Sequence, residues 1–164
     1  MLTTGDLFLT HSTNKLTQIT GYIEVCVLQL DADQIWQHAA GEAQNSIGNL
    51  VLHLAGNVRQ WIGSSVGGLP NIREREKEFE HASRIDTPEL LARLNSIMGD
   101  ALGILENLAP ERLTEMVHTQ DGDRAVLEVI YQAVGHFQQH GGQIMYATKV
   151  LTGEDLKFYT PAKK

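Results

Sequence analysis

The chain has 164 residues, 42% of them apolar and 20% charged, and a formal net charge of −7. That length suits one domain spanning 1–164 with a core of its own, and that composition excludes a disordered chain. An acidic balance without a Lys/Arg cluster argues against nucleic acid as a partner, and a lone cysteine, Cys26, excludes an internal disulfide.

The N-terminus lacks the basic-then-apolar layout of a signal peptide, and no apolar run reaches membrane-spanning length, so the expectation is a cytoplasmic protein without a membrane partner. Leu16, Ile19, Ile23, Val27 and Leu30 recur at helical spacing and predict the first helix. "LDADQIWQHAAGEAQ" reads as a connection, with Trp36 packing back on the protein. A second helix, "SIGNLVLHLAGNVRQWI", opens at Ser46 as N-cap, with Ile47, Leu50, Val51, Leu54, Val58, Trp61 and Ile62 on one side. The following "GSSVGGLPNIREREKEFEHASRID" combines turn residues, including Gly67-Gly68, with a charge run. It reads as a long connection with a solvated face and room for one short helical turn. The third helix starts with Thr87 as N-cap and Pro88 at its first position, and its apolar stripe runs from Leu90 to Leu108. Pro110 closes it.

A polar connection with a hairpin at Asp121-Gly122 leads to the last helix, for which Asp123 is the expected cap. Its stripe, Val126, Val129, Ile130, Ala133, Phe137, Ile144, Thr148 and Leu151, passes through Gly141-Gly142 without losing phase, which makes Gly153 the expected stop. Two interior glycines cost about 1 kcal/mol each relative to alanine, which suggests a need for backbone room. Four helical segments and little strand signal predict an all-α four-helix bundle.

The chemistry-bearing pattern is His136 and His140, four apart, where both imidazoles share one helix face and reach one metal ion. Spacing alone leaves two readings open: a metal clamp, or one buried hydrogen-bonded histidine beside an exposed one. The inward face favours the clamp, because a metal satisfies two buried lone pairs at once. His53, on the inner face of the second helix, is the candidate third ligand. Asn57, one turn on, is a candidate pocket residue, and Gln143 a candidate for orienting a ligand histidine. His11, His38, His81 and His118 read as solvated, and Cys26 as a small core residue.

"SIGNLVLHLAGNVRQWI", "REREKEF" and "GHFQQHGGQI" in this order and spacing resemble the DinB/YfiT-like family of metal-dependent enzymes, over about Leu7 to Leu151. The resemblance implies a four-helix bundle and one divalent metal per chain, zinc or nickel foremost, held by His53, His136 and His140. Three neutral ligands would leave a coordination position open, as in catalytic sites. It also implies a small-molecule substrate, a low-molecular-weight thiol as candidate cofactor in a transferase, or water activation in a hydrolase, and a homodimer. The alternative is a non-catalytic metal-binding or stress-response protein. Two positions depart from the pattern: Gly141 stands where many members carry Arg, and Asn49 where a Glu often precedes the ligand histidine.

Overall fold

The computed structural model describes residues 1–38, 44–80 and 84–158; His81 lies outside them. The described chain is mostly helical, with one small hairpin. Helix α1 (Thr4–Leu28) is capped by Thr3, whose hydroxyl accepts from Asp6 N while the Asp6 carboxylate accepts from Thr3 N. Its stripe is buried as the spacing requires, with Leu16, Ile23 and Val27 fully inaccessible. The expected connection after it contains a short helix, α2 (Ala32–Trp36), capped by Asp31. Trp36 does pack back, donating from Nε1 to the carbonyl of Ile85 at 3.1 Å.

Helix α3 (Ile47–Val58) opens at Ser46, whose Oγ accepts from Asn49 N. It does not stop at Ile62. Arg59–Val66 continue as a π-helical segment, so "GSSV" is helix and not turn. Its hydrogen bonds step five residues back, Gly67 N to Ile62 O for instance, and Ser64 and Ser65 donate to the carbonyls of Arg59 and Gln60. Trp61, Ile62 and Val66 stay in the core through this wider turn. A 3₁₀ turn at Arg75–Glu78 follows.

Helix α4 (Thr87–Glu106) is capped one residue earlier than expected: the Asp86 side chain accepts from Glu89 N at 2.8 Å, leaving Thr87 inside the first turn beside Pro88. Leu91 and Ile97 of its stripe are only partly buried. After a 3₁₀ turn at Pro110–Thr114, strands β1 (Met116–Thr119) and β2 (Gly122–Ala125) form the hairpin with Met116 opposite Ala125 and Thr119 opposite Gly122. Asp123 therefore pairs with His118 across the hairpin rather than capping a helix. Helix α5 (Val126–Thr152) begins where the Glu128 carboxylate accepts from Ala125 N.

The apolar phase does run unbroken through Gly141-Gly142, and the helix ends at Gly153, in the left-handed conformation. The four long helices pack on one another around one core, with α1 against α4 and α5, and α3 against α4 and α5. Gly141 is buried at the α1 contact, where an added Cβ would lie 2.6 Å from Ile19 Cγ2. An arginine at that position has no room here. Gly142 meets nothing within 4 Å. Cys26 is fully buried, and burial pushes its thiol pKa up. Among the described residues, no helix is long and apolar enough to cross a membrane.

Candidate metal centre

On α3, His53 faces inward between Leu50 and Leu54 and is 6% exposed. On α5, the i,i+4 register puts His136 and His140 on the side facing it. One nitrogen from each of the three rings lies within 4.8 Å of the others, and such a group could hold a metal ion. Ring centroids are 5.0 Å apart for His53 and His136, 5.2 Å for His53 and His140, and 4.4 Å for His136 and His140. Nε2 of His53 and Nε2 of His136 are 2.8 Å apart. Two ring nitrogens that close hold one proton between them or turn both lone pairs on one cation. Two nitrogens on one tetrahedral ion, each at about 2.0–2.1 Å, stand roughly 3.3 Å apart, so the rings need part by only some tenths of an ångström.

The segment read as a solvated charge run supplies the rest of the site. Glu78 is 9% exposed, and its Oε2 lies 2.9 Å from Nδ1 of His53. Burial alone would raise its pKa. Hydrogen bonds from Arg73 and His53 outweigh that and hold it below the usual carboxylate value. An ionised carboxylate only accepts, so the proton sits on Nδ1 of His53 and the lone pair on Nε2 faces the cluster. Arg73 grips both oxygens of Glu78, Nε to Oε1 at 2.7 Å and Nη2 to Oε2 at 2.8 Å, and donates from Nη1 to Gln60 Oε1 at 2.8 Å. The Arg73 charge is thereby cancelled, and its side chain is 4% exposed.

Two features of α3 admit this arrangement. At Gly56, any Cβ would overlap Glu78 Oε1, so glycine is what lets the carboxylate reach past the helix to His53. Asn49 donates from Nδ2 to the backbone carbonyl of Glu78 at 2.9 Å, and its Oδ1 accepts from Ser46. The departure at Asn49 thus anchors the loop that carries the buried carboxylate. Phe79 packs its ring on His53 at 5.0 Å, and the Arg75 guanidinium sits 5.4 Å over Phe79.

On α5, Nδ1 of His140 is 2.6 Å from Oε1 of Gln143. The amide oxygen accepts, which leaves Nε2 of His140 as the free lone pair. Burial is the first cause that lowers the His140 pKa; the Gln143 bond opposes it and the charge of His53 adds to it. His136 is pushed down to about 4, by burial first and then by the charges of His140, His53, Arg73 and Arg75. Asn57, one turn beyond His53 and 7% exposed, has an Oδ1 without a hydrogen-bond partner among the described residues. His11, His38 and His118 are exposed and take no part.

Sequence reasoning brought the three histidines, Gln143 and Asn57 to attention and missed Glu78 and Arg73. The signals for those two were Phe79, an aromatic ending a charge run, and Gly56 one turn after a candidate ligand. The model of the family described as "Protein of unknown function (DUF1572)" matches residues 3–164. No curated protein matches the chain.

Proposed function

The chain belongs to the DUF1572 family, and for it we propose a divalent-metal-binding protein of the DinB/YfiT-like kind: one four-helix-bundle domain over 1–164, with His53, His136 and His140 as ligands. The observation that carries this reading is the pair of tautomers. Glu78 and Gln143 each accept a hydrogen bond from Nδ1 of a histidine, an arrangement that turns two Nε2 lone pairs into one cluster beside His136. A plain core has no use for converging lone pairs, whereas a cation does. When bound, a divalent ion supplies a Lewis-acid centre with an open coordination position.

The chain's own residues fit an enzyme acting on a small molecule, as a thiol-dependent transferase or a hydrolase. Arg73 is neutralised by Glu78, so the site's fixed charge is positive through Arg75 at its edge and the ion itself, which suits a thiolate or another anionic ligand. Asn57 Oδ1 offers an acceptor for a donor on whatever enters. Zinc or nickel, a cytoplasmic location and a homodimer belong to the same proposal.

A non-catalytic metal-binding role is favoured by one observation. The carboxylate nearest the histidines, Glu78, is fully engaged by Arg73 and His53, and so does not serve as a general base. Metal analysis of the purified chain is expected to find about one divalent ion per chain, lost in His136→Ala. Metal-dependent consumption of a low-molecular-weight thiol then separates the enzyme from the binder. No bound ion, together with unchanged thermal stability on adding zinc or nickel, refutes the metal site.

A further inference from the structure

Around α3 from His53, the helix flank formed by Leu52, Ala55, Gly56 and Arg59 walls a second, open cavity, bordered on its other sides by the 72–78 loop and α4. Its volume is about 800 Å³, within the roughly 300–1,000 Å³ of small-molecule sites. Its lining mixes apolar side chains, Ile72, Ile85 and Ile97 among them, with four cations and three carboxylates.

The charges do not cancel evenly. Arg73 is held by Glu78, Lys77 by Glu74 at 2.9 Å and Arg93 by Glu89 at 2.5 Å. Arg59 is left over. Its nearest carboxylate, Asp100, reaches only Nη1, at 3.8 Å, and lies outside the cavity lining. Arg59 Nε is buried with no hydrogen-bond partner among the described residues. A buried donor of a charged group left unbonded is costly, so the chain leaves this guanidinium short of partners of its own.

We propose that this cavity is a binding site for a small organic oxyanion with an apolar body, its carboxylate or phosphate head on Arg59 and its body against the isoleucines. The end-on edge of this guanidinium, Nη1 and Nη2, with Nη1 only loosely held by Asp100, presents the two prongs that match a carboxylate or phosphate. The site is separate from the three histidines and does not depend on their holding a metal.

Trp36 provides a reporter, since its indole is bonded to the carbonyl of Ile85 in the cavity wall. The test is a fluorescence titration of the full chain, in excess chelator, with octanoate, octyl phosphate, octanol and octylamine. Octanoate or octyl phosphate is expected to saturate at a concentration at least tenfold lower than octanol or octylamine; the tighter of the two names the head group. Arg59→Met is expected to abolish that tenfold preference with the far-UV circular dichroism unchanged. Should Arg59→Met fail to fold, Asp100→Asn, which frees Nη1, is expected to tighten octanoate at least threefold. Octanol binding as tightly as the anions, no saturable signal from either anion, a preference that survives Arg59→Met, or Asp100→Asn without effect would each overturn the proposal.

Discussion

Glu78 and His53, 25 residues apart, meet through a 2.9 Å contact between Oε2 and Nδ1 that fixes which ring nitrogen faces the cluster. The same carboxylate accepts from both Nε and Nη2 of Arg73. One side chain therefore serves both the electrostatics of the loop and the orientation of a candidate ligand.

Glu78→Gln keeps the shape and loses the charge. It is expected to weaken zinc or nickel by about 10–100-fold, the usual cost of losing a ligand's hydrogen-bonded partner. Competition with a chromogenic chelator measures this. Glu78→Ala also strands Arg73 as a buried unpaired cation, and unfolding in urea should show a loss of about 3–5 kcal/mol.

Gly141 and Gly142 of α5 should respond in opposite directions. Gly141→Ala drives a Cβ into Ile19 and is expected to destabilise the chain by about 1–3 kcal/mol. Gly142→Ala meets open space inside a helix and is expected to stabilise it by up to about 1 kcal/mol. Denaturation midpoints of the two variants decide it; equal effects of one sign would contradict the packing described at Ile19.

Among the described residues, Asn57 carries a buried acceptor without a partner. Asn57→Leu, close in size and apolar, is expected to raise the melting temperature of the metal-free chain, because the desolvation cost of the orphan, about 1–3 kcal/mol, disappears. A lowered melting temperature would mean that the amide is satisfied in solution.

The metal-free chain should lose stability on mild acidification. His136 has its pKa depressed in the fold to about 4, whereas the unfolded chain titrates near the ordinary 6.5. Between these values the unfolded state binds more protons, so the contribution of His136 is complete above pH 6.5 and is lost as pH falls towards 4. Glu78, lowered from 4.5, adds a second loss at still lower pH, as pH falls through its folded value. Urea midpoints between pH 7 and 5 should fall for the native sequence and fall less for His136→Gln.

Much of this was written in local pattern. The stripe of α5 carried through Gly141-Gly142 because a 3.6-residue period survives glycine, and the His136–His140 pair needs nothing beyond that helix. The sequence resemblance and the inward face of His53 pointed to the same trio. Glu78 and Arg73 were hidden because their burial depends on a meeting between a short 3₁₀ turn and a bare patch of α3 at Gly56, and a run of charges looks solvated until that meeting is known. The caps at Asp86 and Ala125 were misplaced for a milder reason: Thr87 and Asp123 are good capping residues whose neighbours held the geometry.

The π-helical stretch Arg59–Val66 has a bearing on inheritance and engineering. A five-back hydrogen-bond ladder stores extra residues inside a stiff rod, as though an insertion had been absorbed without a loop. Deleting one residue while the five-back ladder persists would shorten the rod little, yet would turn everything downstream by about a quarter of a revolution. His53 would stay in place while the loop bearing Arg73 and Glu78 left the helix pointing elsewhere. Chain length in those eight residues therefore sets an angle, and length change there is a route by which a relative could keep the fold and lose the buried carboxylate.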